Sequence, residues 1–99
     1  MITKITLTPY DKILSGKYSH ESEGVIVLAD SNTIGFTITL PDCTSGNQFN
    51  LVVKNIGPNT VRLQPITGQY IDASLYNDLT AWGFISLWSD LNKRWLIIG

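Results

Sequence analysis

Ala81-Trp-Gly-Phe-Ile-Ser-Leu-Trp88, Ser89-Asp-Leu-Asn-Lys93 and Arg94-Trp-Leu-Ile-Ile-Gly99 together decide the fold. The two outer pieces are apolar runs and the middle piece is a polar tip, which reads as two strands joined by a short turn. All three tryptophans, Trp82, Trp88 and Trp95, lie here. In the first strand Trp82, Phe84, Ser86 and Trp88 alternate with Gly83, Ile85, Leu87 and Ser89, so neither face is plainly polar. A hairpin apolar on both faces must be covered on both, and in a chain of 99 residues the second cover can come from another copy.

Working upstream, the same texture continues to Gly24. Val25-Ile-Val-Leu-Ala29 reads as a strand ended by Asp30-Ser-Asn. Ile34-Gly-Phe-Thr-Ile-Thr-Leu40 reads as another, with Ile34, Phe36, Ile38 and Leu40 inward and Thr37 and Thr39 outward. Gln48-Phe-Asn-Leu-Val-Val-Lys54, the turn Asn55-Ile-Gly-Pro-Asn59 and Thr60-Val-Arg-Leu-Gln64 suggest a hairpin. Gln69-Tyr-Ile71 is a short strand, and residues 72–80 leave room for one helical turn capped by Ser74. Gly24, Gly35, Gly46, Gly57 and Gly68 are spaced eleven apart. Strand plus turn recurring every 8–12 residues explains that spacing without a sequence repeat.

The first 23 residues differ. Ile2, Lys4, Thr6 and Thr8 alternate with Thr3, Ile5 and Leu7, a half-buried strand whose thin apolar face suits an edge or an arm. Thr8-Pro9-Tyr10-Asp11 has the form of a helix start, stopped by Ser15-Gly16. Residues 11–23 are polar and read as a loop.

Composition sets the outer limits. The chain is 43% hydrophobic and only 15% charged, against about 25% for an average domain. Its polar cover must therefore come from Thr, Asn, Ser and Gln, which favours sheet. A net charge of −1 and a pI near 5.6 give no basic footprint for nucleic acid. No apolar run reaches the roughly 18–20 residues that span a bilayer, and the N-terminus has no signal-peptide pattern. The single cysteine, Cys43, allows no internal disulfide and no cysteine-based metal cage.

Taken in order, Thr37-Ile-Thr-Leu-Pro41, Lys54-Asn-Ile-Gly57, Asn59-Thr-Val61, Pro65, Ile71-Asp72, Leu87-Trp-Ser-Asp90 and Trp95-Leu-Ile-Ile-Gly99 resemble the β-structured domain of bacteriophage tail-fibre and head-fibre proteins. The likeness covers residues 24–99. Members of that family commonly carry Gly after the Ile-Asp and after the Ser-Asp, where this chain has Ala73 and Leu91. The resemblance implies a trimeric virion component made in the cytoplasm of a bacterial host. Because about twenty residues precede the domain here, a capsid decoration or head-fibre protein, or a domain excised from a longer chain, fits better than a long fibre.

Residues that bear on chemistry are few. His20 is the only histidine, and its neighbours Ser19 and Glu21 point in other directions than a relay needs. Glu21 and Glu23 sit in a polar loop rather than the shaped pocket that acid–base work requires. Cys43 reads as a small, partly buried thiol. Asp72 and Asp78 are too scattered for an oxygen cage. Tyr70, Tyr76, Trp82 and Trp88 are the candidates for contact with a receptor or glycan, against the plainer reading of aromatics as buried area.

The expectation is therefore an all-β protein: an antiparallel sandwich or jelly-roll-like barrel of about seven or eight strands, assembled as a homotrimer, with no enzymatic activity, cofactor or metal. Residues 24–99 form the head, and residues 1–23 form an arm that attaches it to a capsid or fibre protein. Phe36, Ile38, Leu40, Leu51, Val53, Ile85, Leu87, Trp95 and Ile97 are expected in the core or an interface, as are Val25, Val27, Ile34, Phe49, Val61 and Leu63. The alternative is a receptor- or glycan-binding adhesion module of a tail fibre.

Overall fold

A computed structural model of the chain describes residues 2–18, 23–44 and 50–99. Those residues form nine strands and no helix: β1 (Ile2–Leu7), β2 (Gly24–Ala29), β3 (Phe36–Thr39), β4 (Asn50–Asn55), β5 (Val61–Gln64), β6 (Tyr70–Ile71), β7 (Asn77–Leu79), β8 (Phe84–Ser89) and β9 (Arg94–Ile97). They make a six-stranded sheet in the order β1-β2-β4-β8-β9-β6 and a three-stranded sheet in the order β3-β5-β7.

The two sheets share one core. Val25, Val27, Leu51, Val53, Ile85, Leu87 and Trp95 come from the larger sheet, and Ile38, Val61, Leu63 and Leu79 from the smaller. The arrangement is thus sandwich-like and all-β, and the central strands β2, β4, β5 and β8 contribute every second residue to the core because strand side chains alternate between faces.

The sheets are mixed rather than antiparallel. β1 pairs β2 in parallel, β2 pairs β4 in parallel and β3 pairs β5 in parallel. β4–β8, β8–β9 and β5–β7 are antiparallel, and β6–β9 is parallel. The cause is the path of the chain. After β1, Ile13 bridges Thr39 in parallel, with Leu14 N–H donating to Thr39 O at 3.3 Å and Thr39 N–H to Lys12 O at 3.0 Å. From there the chain alternates between sheets: β2 in the larger, β3 in the smaller, β4 in the larger, β5 in the smaller. Strands β1 to β5 are therefore wound as a coil whose successive turns stack Ile2 on Gly24 on Asn50.

This winding corrects several expectations. Asn50–Asn55 and Val61–Gln64 do not form a hairpin; they lie in different sheets. Residues 72–80 hold no helical turn; Ser74 bridges Ile71 and Asn77–Leu79 is a strand. Thr8-Pro9-Tyr10-Asp11 forms a turn, closed by Asp11 N–H to Thr8 O at 2.9 Å. Its Thr8 hydroxyl is bonded to Asp11 Oδ2 instead of capping a helix. The strand expected from Ile34 begins at Phe36, and Ile34 is exposed. Ile97 is also exposed, and Phe36 is half-buried against the core. Phe49 lies outside the described residues.

Residues 2–7 take the edge reading, with Leu7 and Leu14 fully within the common core. The hairpin at the C-terminal end forms as read: Leu87 faces Ile97, Trp88 faces Leu96 and Ser89 faces Trp95.

Candidate functional site

The outer faces of the two sheets differ in kind. On the smaller sheet, the residues alternating with Val61 and Leu63 are Arg62 and Gln64, flanked in register by Thr37, Thr39 and Asp78. Arg62 Nε donates to Asp78 Oδ1 at 2.8 Å and Nη2 to Oδ2 at 3.1 Å. That two-pronged pair holds the Asp78 carboxyl below the usual range and raises the Arg62 guanidinium. This face is ordinary solvated surface.

The outer face of the larger sheet is apolar. The registers line up Leu28 with Lys54 and Phe84, Ile26 with Val52 and Ser86, and Asn50 with Trp88 and Leu96. Phe84 is 62% exposed and Ile98 60%, while Ile26, Leu28, Val52 and Trp88 are half-buried. Ile2 adds to it from the edge strand, 66% exposed. Polar side chains are interleaved with these apolar ones: Asn50, Lys54 and Ser86 on the central strands and Lys4 and Thr6 on the edge strand. Lys54 Nζ donates to Trp82 O, and Asn50 Nδ2 donates to Ser86 Oγ at 2.8 Å and Leu87 O at 3.0 Å. Contiguous apolar surface of this kind marks an interaction site more often than scattered single residues do.

The four aromatic candidates do not converge. Tyr70 lies at the β6 edge with the Arg94 guanidinium 5.1 Å from its ring centre. Trp88 faces Leu96 on the apolar face. Trp82 stands at the end of that face, 58% exposed, with a backbone φ of 60°. A bulky residue in the left-handed region is an uncommon, strained arrangement. Tyr76 belongs to the other sheet, stacked 3.9 Å under Arg62.

A shallow cleft of about 250 Å³ lies elsewhere, lined by Thr8, Pro9, Tyr10, Asp30, Thr33 and Ile34. Tyr10 is almost wholly exposed beside it. It belongs to the turn that leaves β1, within the segment read as an attachment arm.

Other candidates are placed as follows. His20 and Glu21 lie outside the described residues, and Glu23 is exposed. Cys43 is buried, and burial together with the carboxylates of Asp90 and Asp42 pushes its thiol upward, away from the thiolate form that nucleophilic chemistry needs. Asp72 Oδ1 accepts from Ile97 N–H at 3.0 Å. No group of three metal-ligating side chains is found among the described residues, and no helix among them is long and apolar enough to cross a membrane.

The motif residues do structural work. Asn55 is fully buried: its Oδ1 accepts from Ser31 Oγ and Gly57 N–H, and its Nδ2 donates to the carbonyls of Asn59, Leu79 and Thr80. Asn59 Nδ2 returns to Ser31 O at 2.7 Å. A Cβ at Gly57 would meet Ser31 Oγ at 2.5 Å, so only glycine fits there. Sequence reasoning placed Asn55 in a turn and missed this role; a buried asparagine gives no periodic signal.

No protein-family model, curated protein or solved structure matches the chain.

Proposed function

We propose that this chain is a structural module of a bacteriophage particle: a β knob that assembles as a homotrimer through the outer face of its six-stranded sheet. It is held to a capsid or fibre protein through residues 1–23, and its work is mechanical. The observation that carries the reading is the contrast between the two outer faces. One is built of Thr, Gln and an Arg–Asp pair; the other carries Ile26, Leu28, Val52, Phe84 and Trp88, with Asn50, Lys54 and Ser86 set among them. Burying apolar area at about 25 cal/mol per Å² favours covering the second face, and copies of the chain can do so around a shared axis. The order of three comes from the resemblance to phage fibre domains. Attachment would run through the exposed Tyr10 and the cleft beside it, since β1 itself is integrated into the sheet. Light scattering over a hundredfold range of concentration tests this: the reading expects three times 11.0 kDa, and a persistent single-chain mass overturns it.

A second reading, glycan contact by an adhesion module, is favoured by Trp82, an exposed aromatic held in a strained conformation. Titration of host-surface polysaccharide against the chain and its Trp82→Ala variant tests it. Saturable binding lost in the variant supports it, and equal or absent binding rejects it.

A further inference from the structure

Among the described residues, the winding of β1 to β5 leaves one end of the coil open. Its first turn consists of β1 in the larger sheet and residues 12–14 beside β3 in the smaller. The other sheet edges are shorter: β6 has two residues, β7 three and β3 four, with residues 12–14 bonded beside β3, whereas β1 has six. Among the described residues β1 is the one long edge without a neighbour on its far side.

The direction of its backbone groups follows from one bond. Leu7 O accepts from Asp30 N–H at 2.8 Å while Leu7 pairs with Ala29. In a parallel ladder only alternate residues bond a given neighbour. Leu7, Ile5 and Thr3 thus bond β2, and the N–H and C=O of Ile2, Lys4 and Thr6 face outward. Such an edge is a template for a further strand.

We infer that two copies of this chain join edge to edge through β1, antiparallel about a two-fold axis, with Ile5 opposite Ile5 of the second copy. The charge on the strand selects that register. Centring on Lys4 would set two lysines directly opposite each other, which is destabilising. Centring on Ile5 sets each Lys4 opposite a Thr6 and lets both residues exchange backbone hydrogen bonds. The contact continues the six-stranded sheet across both copies. It engages the backbone edge of β1, next to the apolar face that Ile2, Lys4 and Thr6 border, and the Phe84→Glu variant separates it from the proposed trimer.

The test removes the face contact first. Phe84→Glu places a carboxylate at an exposed position, and sedimentation of that variant up to about millimolar concentration reads the edge contact alone. The expected result is a reversible shift from one to two copies. Thr6→Pro removes an outward N–H without touching the ladder to β2, and should abolish the shift. Thr6→Glu, facing Lys4 of the second copy twice, should tighten the association roughly fivefold, and Thr6→Lys should loosen it by a similar factor, taking about half a kcal/mol per cross-strand pair. Circular dichroism confirms that each variant is folded. A Phe84→Glu variant that stays single at every concentration overturns the inference, and so do Glu and Lys substitutions that move the association in the same direction.

Discussion

Ser31 Oγ donates to Asn55 Oδ1 across 2.6 Å, with both residues wholly buried. The bond ties the loop after β2 to the end of β4, and through the remaining bonds of Asn55 to the segments around β5, β7 and β8. It is the knot at which the chain passes from one sheet to the other.

Asn55→Ala should therefore be among the most damaging single substitutions. It removes the partner of the Ser31 hydroxyl, the Gly57 N–H and the Asn59 and Leu79 carbonyls, while Thr80 O keeps the Gly83 N–H; each group left unpaired where it is buried costs about 1–3 kcal/mol. We expect a loss of about 3–5 kcal/mol in urea unfolding, against about 1–2 kcal/mol for Ser31→Ala. The double variant should lose less than the sum, because the two share one bond.

Leu91 holds a φ of 58° in the tip of the β8–β9 turn, at the position where the resembled family carries glycine. A leucine there is strained by about 1 kcal/mol. Leu91→Gly should raise the thermal midpoint by a few degrees, consistent with about 0.5–1 kcal/mol. Ala73 occupies the other such position, but the positive φ falls on Asp72, so Ala73→Gly should not stabilise.

Asp90 is the anchor of the same turn, accepting from the N–H groups of Arg94, Asn92 and Lys93 at 2.8–3.0 Å. The Arg94 N–H foremost, then those of Asn92 and Lys93, hold its carboxyl below the ordinary value. A depressed carboxylate stabilises the fold above its unfolded value of about 3.9, and that contribution disappears as pH falls through the lower folded value. Asp42, bonded by Thr44 and Gln69, shifts the same way. Stability should be level near neutrality and fall below about pH 4. In Asp90→Asn the difference from the parent should be largest at neutral pH and shrink in acid, as measured by urea unfolding at a series of pH values.

Cys43 offers a check on core integrity. Its thiol is buried and pushed upward, so reaction with an aromatic disulfide at pH 8 should be slow in the folded chain and fast in urea. Rapid labelling without denaturant would contradict the packing of residues 41–44.

The strands were legible because alternation is a local property. Val25, Val27, Leu51, Val53, Ile85 and Leu87 stand at every second position, and each is buried. Pairing was not legible, since a strand with two partners shows the same alternation whichever way they run. The Asn55-Ile-Gly-Pro-Asn59 turn looked like a hairpin turn because its residue types suit one; its asparagines instead bind carbonyls across the two sheets. Phe84 and Trp88 signalled a face in need of cover, and the structure puts that face on the outside of the larger sheet. Ile34 and Ile97, read as core or interface, are exposed in the single chain: Ile34 lies two residues ahead of β3 and Ile97 is the last residue of β9, where alternation no longer fixes direction.

We propose that copies of this chain bury the outer face of the six-stranded sheet. Sedimentation of the parent and Phe84→Glu side by side, at equal concentrations, tests it most directly. The account predicts a parent mass of three times 11.0 kDa and a lower mass for the variant, with unchanged circular dichroism. A parent that sediments as one chain throughout, or a variant that keeps the full mass of the parent, would contradict it.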